Sequence, residues 1–239
     1  MKDVPADFAV ADAMKALYGN YDPAKKISIY KLTKTFQNSY FDKPGKVAVY
    51  PFLVAGASDS GTTKVFMLTY AIPAGAPIFD CHACAPVIGV AVFAKKNGSW
   101  AAESALNAFN PLGNWGGPPN AEIVRIGPDR AAFQLTPGGT NQGETFSLVM
   151  FLVPWQGGIR EVFEAQTDWP EQTDCGDGMG YCRDVSAEVS FERGANPDYD
   201  DIVVKLSATE TDAHDKDVQV HRVQRWNFAD GKYVRAKGS

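Results

Sequence analysis

A chain of 239 residues with 23 basic and 28 acidic side chains carries a formal net charge of -5, which argues against the basic patch of a nucleic-acid binder. Its longest apolar run, Ala85 to Ala94, is too short to span a bilayer. The 22 glycines and 15 prolines are spread among short β-branched and aromatic runs, a pattern of strands and turns, not of a helical bundle.

In chain order, the first expected element is an N-terminal helix over about residues 4–18. Phe8, Ala11, Met14 and Tyr18 recur at helical spacing, Asp3 is placed to cap the start, Pro5 suits the first turn, and Gly19-Asn20 stops it. From Ile27 the pattern becomes β-type, with a weak strand over 28–40. Residues 46–56 and 64–72 make a hairpin across Ser58-Asp59-Ser60-Gly61. Val87 to Phe93 is apolar at nearly every position, so it is expected to be covered on both faces. Lys95-Lys96-Asn97-Gly98 turns it back, and the segment 110–120, with its glycines and prolines, is irregular.

A second hairpin is expected over 122–126 and 130–135, then a glycine-rich loop at 137–143. Residues 145–153 and 159–166 pair across Trp155-Gln156-Gly157-Gly158, and 168–184 reads as a long acidic loop. Val185, Ala187, Val189 and Phe191 share one strand face. Strands follow at 201–208 and 217–227, and the chain closes on a hairpin with an Asp230-Gly231 turn.

The expected fold is mainly β, an antiparallel sandwich or extended meander with one short N-terminal helix. It is read as a single domain over 1–239, with a β-rich body over about 27–236. The alternative is two small β units cut near 110–120, but no charged or low-complexity linker divides the chain.

The centre of interest is Cys81-His82-Ala83-Cys84-Ala85-Pro86, immediately before the most apolar strand. A thioredoxin-like pair would need a helix N-terminus to lower a thiol pKa, and here a strand follows. Haem attachment needs the His after the second Cys, which this order does not supply. Structural disulfides among Cys81, Cys84, Cys175 and Cys182 are the simplest reading. Three pairings are open. The local ones, Cys81–Cys84 and Cys175–Cys182, would each contribute only about 2 kcal/mol and mainly fix loop shape. A zinc site using Cys81 and Cys84 with Cys175, Cys182 or a histidine is a weaker alternative, because the second pair is spaced too widely for the usual knuckle. Paired cysteines imply an oxidising compartment, hence a periplasmic or secreted protein whose leader lies outside this sequence.

Several motifs occur together: the Cys81–Pro86 run before Ile88-Gly89-Val90-Ala91-Val92-Phe93, Gly113-Asn114-Trp115-Gly116, Ile126-Gly127-Pro128-Asp129, Gln142-Gly143, Cys175-Gly176-Asp177-Gly178 with Cys182, and Asp198-Tyr199-Asp200-Asp201-Ile202-Val203-Val204. From roughly Tyr70 to Thr211 the chain resembles a group of secreted or periplasmic bacterial β-rich proteins of unknown function. The resemblance implies location and fold class and supplies no catalytic residues.

Candidate ligand-binding residues are His82, Trp115, Trp155 and Trp169. The tryptophans sit in Gly- or Pro-rich stretches, where they either stack on a ligand or fold back as plugs over the sheet ends. Plugs are the preferred expectation. Asn196, Asp198 and Asp200 are weak calcium candidates, because the spacing lacks the glycine and glutamate of a calcium loop. The acidic stretch 168–184 is a second weak one. Neither a nucleophile elbow nor a phosphate loop is present.

Two functions are therefore expected, in this order. The first is a non-enzymatic binding or envelope-interaction module for an envelope or extracellular ligand. The second is a hydrolase-like enzyme acting on an envelope polymer or saccharide through carboxylates or His82. No cofactor, nucleic acid or membrane span is expected.

Overall fold

A computed structural model describes residues 3–37, 39–75, 78–141, 144–169, 173–174, 181–211 and 216–237. The fold is mainly β and antiparallel, with one short helix near the N-terminus. In the first sheet β1 (Ser28–Leu32), β2 (Gly45–Asp59), β3 (Thr62–Pro73), β4 (Val87–Lys96) and β5 (Ser99–Leu106) pair in chain order. The second sheet is built from β6 (Asn120–Gly127), β7 (Arg130–Thr136), β8 (Gly138–Asn141), β9 (Glu144–Trp155), β10 (Gly158–Trp169), β11 (Thr173–Asp174), β12 (Tyr181–Glu192), β13 (Asp201–Thr211), β14 (Asp217–Ala229) and β15 (Lys232–Arg235). Its order is β15-β14-β13-β12-β10-β9-β7-β6, with β8 on β9 and β11 on β12.

The turns explain why the strands return on themselves. Ser60-Gly61, Asn97-Gly98, Gln156-Gly157 and Asp230-Gly231 each place two successive residues at positive φ, between 50° and 80°. That is the twist a two-residue hairpin requires.

Alternating side chains build four layers. Val65, Met67, Val87, Ala91 and Phe93 face the helix α1 (Val10–Tyr18) through Met14 and Tyr18. Phe66, Leu68, Ile88, Val90 and Val92 point the other way, onto Ile123, Phe133, Leu135, Met150 and Leu152. The far side of β7 and β9 presents Ala132, Val149, Phe151 and Val153 to Ile202, Val204, Phe228 and Tyr233. The second sheet thus curls so that its last strands cover its first. β4 is covered on both faces, which is why its sequence does not alternate.

β2 carries a register shift between Pro51 and Leu53. Before it, Val47 and Val49 face the helix; after it, Val54 does, while Leu53, Ala55 and Ala57 turn to the second sheet. One extra residue reverses the faces of the strand.

Four expectations need correction. The helix starts at Val10, not near residue 4: Ala9 is its extended N-cap, without a side-chain cap from Asp3. Tertiary contacts win over the local signals. Asp7 reaches Lys95 at 2.5 Å, and Phe8 sets its ring edge-on to Phe93 and Trp100, so this segment lies along the β4–β5 hairpin. The strand expected over 28–40 ends at Leu32. The loop expected at 137–143 contains β8, because Pro137 interrupts β7 and the chain resumes pairing with β9 at Gly138↔Ser147. The acidic stretch 168–184 includes the end of β10, β11 and the start of β12, antiparallel pairing having claimed those residues.

Candidate functional site

Where β3 ends and β4 begins, the chain crosses the end of the first sheet as a short loop closed by a Cys81–Cys84 disulfide, S–S 2.18 Å. Cys84 is buried, while Cys81 is half-buried and His82 exposed. The loop's own turn is closed by the Cys84 N–H donating to the Cys81 carbonyl at 2.9 Å.

A second loop, between β5 and β6, is woven against the first. Trp115 N–H donates to the Cys81 carbonyl at 3.0 Å and Gly116 N–H to the Cys84 carbonyl at 2.8 Å. Leu112 N–H reaches the Pro86 carbonyl, and Asn114 Nδ2 donates to the Gly138 carbonyl at 3.0 Å. Asn114 and Gly117 bridge, so Trp115-Gly116 is itself a two-residue turn, with φ 49° and 71°. Gly116 is required twice over: its φ is positive, and a Cβ would strike the Phe79 carbonyl.

This packing puts large side chains into solvent. Trp115 is 57% exposed, Tyr40 59% and Ile78 77%. The His82 ring meets Trp115 edge-to-face at 5.8 Å. Tyr40 stacks edge-on to Phe79 at 5.4 Å, and its hydroxyl lies 3.4 Å from Cys81 Sγ. Phe79 in turn contacts the buried Phe41. Tyr40 and Trp115 thus both meet the disulfide loop at Cys81, and with His82 on that loop and Ile78 three residues before it they make up its exposed aromatic and apolar platform.

Trp155 is elsewhere. It lies in the β9–β10 turn at the other end of the sandwich, packed on Phe228 at 5.7 Å with the Arg160 guanidinium over its ring. Trp155 thus lies apart from Trp115, and the expectation of a plug is corrected for Trp115, which stays largely in solvent. Trp169 ends β10 opposite Val185, and its side chain lies outside the described residues. So does Cys175, and the side chain of Cys182 as well.

Asn196 Oδ1 accepts from the Asp198 and Tyr199 N–H groups, while Asp198 faces Arg130 at 3.5 Å and Asp200 faces Arg193 at 3.2 Å. These oxygens tie a loop and do not converge on a cation. Among the described residues, no group of three or more His, Cys, Asp or Glu side chains could hold a metal ion.

The opposite end also holds a cluster of charges. A cavity of about 190 Å³ is lined in part by Asp59, Lys64, Glu103, Arg130, Trp155 and Tyr199. The Lys64 ammonium is buried, 2.8 Å from Asp59 and 3.0 Å from Glu103. Burial alone would lower the Lys64 pKa, but its bonds to the two carboxylates outweigh that and hold it above the ordinary lysine value. Lys64 is thus a fixed cation, not a neutral amine nucleophile. The same ammonium engages both carboxylates, so acid–base work here would first have to break two ion pairs.

No protein-family model matches the chain, and no curated protein and no solved structure matches it. No helix among the described residues is long and apolar enough to cross a membrane.

Tyr40 and Ile78 escape the sequence reading. Tyr40 closes the stretch read as a weak strand, and Ile78 lies three residues before Cys81; each adjoins a phenylalanine, Phe41 and Phe79, and nothing in the local pattern marks it as exposed.

Proposed function

We propose that this chain is a non-enzymatic binding module that works outside the cytoplasm and takes its ligand on the platform of Tyr40, Ile78, His82 and Trp115. The observation that carries this reading is Trp115. Four two-residue hairpin turns with positive φ hold Ser60, Asn97, Gln156 and Asp230 at their first positions, all polar side chains. Among the described residues, only the turn beside the disulfide carries a tryptophan there, 57% exposed. Its ring meets the exposed His82 at 5.8 Å. A bulky residue in that conformation costs about 1–2 kcal/mol, and strain of this kind collects at ligand sites. The Cys81–Cys84 disulfide supports an oxidising location, and with it an envelope or extracellular ligand.

The test is co-sedimentation with an isolated bacterial envelope fraction. The wild-type chain is expected in the pellet, and the double variant Ile78→Ser/Trp115→Ala in the supernatant. Both side chains are exposed, so circular dichroism should be unchanged. Equal partitioning of the two proteins overturns the proposal.

A further inference from the structure

Resting on the binding reading, we infer that the ligand class is a neutral saccharide chain, stacked through its pyranose faces on Trp115 and Tyr40. Size is the first argument. An aromatic side chain covers about 150–250 Å² when buried, so the exposed parts of Trp115 and Tyr40, with Ile78 and His82, offer roughly 400 Å². A stable protein partner needs about 800 Å² on each side. The platform is about half of that, and fits a short run of sugar rings.

Main-chain chemistry is the second argument. Peptide ligands commonly add a strand to a free edge or lie in a groove. Here the backbone that might pair is already spent. The Cys81 and Cys84 carbonyls accept from Trp115 and Gly116, and the Pro86 carbonyl accepts from Leu112. Trp115 stands at the tip of a turn, not at the floor of a cleft.

Surface chemistry is the third. A pyranose has a face of slightly positive C–H groups that lies flat on the negative face of an indole or phenol ring. Its hydroxyls, at the ring edge, need donors and acceptors. The Tyr40 hydroxyl, beside Cys81 Sγ, and the exposed His82 imidazole, beside the Trp115 ring, are groups of the donor and acceptor type. With a net charge of -5 the chain offers no general attraction to a polyanion, which favours an uncharged glycan.

The experiment is titration calorimetry of the full oxidised chain with three probes: the hexasaccharide of N-acetylglucosamine, the hexasaccharide of glucose, and a random dodecapeptide pool as the competing class. The wild type is expected to bind at least one hexasaccharide. Trp115→Ala should weaken that binding tenfold or more, whereas Trp115→Tyr should keep it within about threefold. Val223→Ser, on the exposed face of β14, should change nothing. Peptide binding that is lost in Trp115→Ala, with no saccharide binding, overturns the saccharide class and leaves the platform as the binding site. Saccharide binding indifferent to Trp115→Ala, or binding of none of the three probes, overturns the inference; the envelope sedimentation result then stands or falls by itself.

Discussion

At the scale of single residues, the unusual choice is a tryptophan where a turn prefers asparagine. Asn97 occupies the equivalent position in the β4–β5 hairpin, with φ 52° against 49° for Trp115. Asparagine tolerates the left-handed region because its short side chain can bond locally. Trp115→Asn should therefore fold with an unchanged or higher melting temperature, the relieved strain of about 1 kcal/mol offsetting the lost contact with His82. It should also abolish envelope binding. A fall of several degrees would mean that Trp115 is held for packing.

Among the elements, the helix and the first sheet meet at one tight point. Tyr18 Oη lies 2.6 Å from the Thr69 hydroxyl, and both sit directly over Gly89 in β4. A Cβ at residue 89 would overlap both oxygens. Gly89→Ala should therefore cost about 1–3 kcal/mol in urea unfolding, as overpacking does. A neutral result would show that the helix docks loosely.

Legibility in the sequence follows from which forces are local. The hairpins were readable because Ser60-Gly61, Asn97-Gly98 and Asp230-Gly231 carry their turn chemistry with them. β4 was readable because a fully covered strand is apolar throughout. The helix start was not, since Asp7 and Phe8 are held by Lys95, Phe93 and Trp100, residues some ninety positions away. Nor was the far end of β2, where a bulge reverses the alternation that strand reading depends on. In the candidate site, Cys81, His82 and Trp115 could each be picked out. Their union could not, because it is made by two backbone hydrogen bonds between loops more than thirty residues apart in sequence.

For the whole molecule, the four layers bury tyrosines as well as hydrocarbons. Burial pushes the Tyr18 phenol up to about 12, and raises Tyr233 further. In the unfolded chain a tyrosine loses its proton near pH 10. Between about pH 10 and 12 the folded state therefore holds protons that the unfolded state has released, and stability must fall as pH rises. Phenolate absorbance should show Tyr18 and Tyr233 losing their protons only with cooperative unfolding. A single smooth titration of all nine tyrosines in the native protein would contradict the burial.

Where the ligand sits decides between the two ends of the sandwich. Hydrogen–deuterium exchange of the full oxidised chain, with and without the isolated envelope fraction, reads this directly. Docking on the platform predicts new protection at residues 78–84 and 113–117, with the amides around Asp59, Lys64 and Glu103 unchanged. Protection confined to that charged cavity, with the disulfide loop unaffected, would contradict a platform-bound ligand and favour the hydrolase reading.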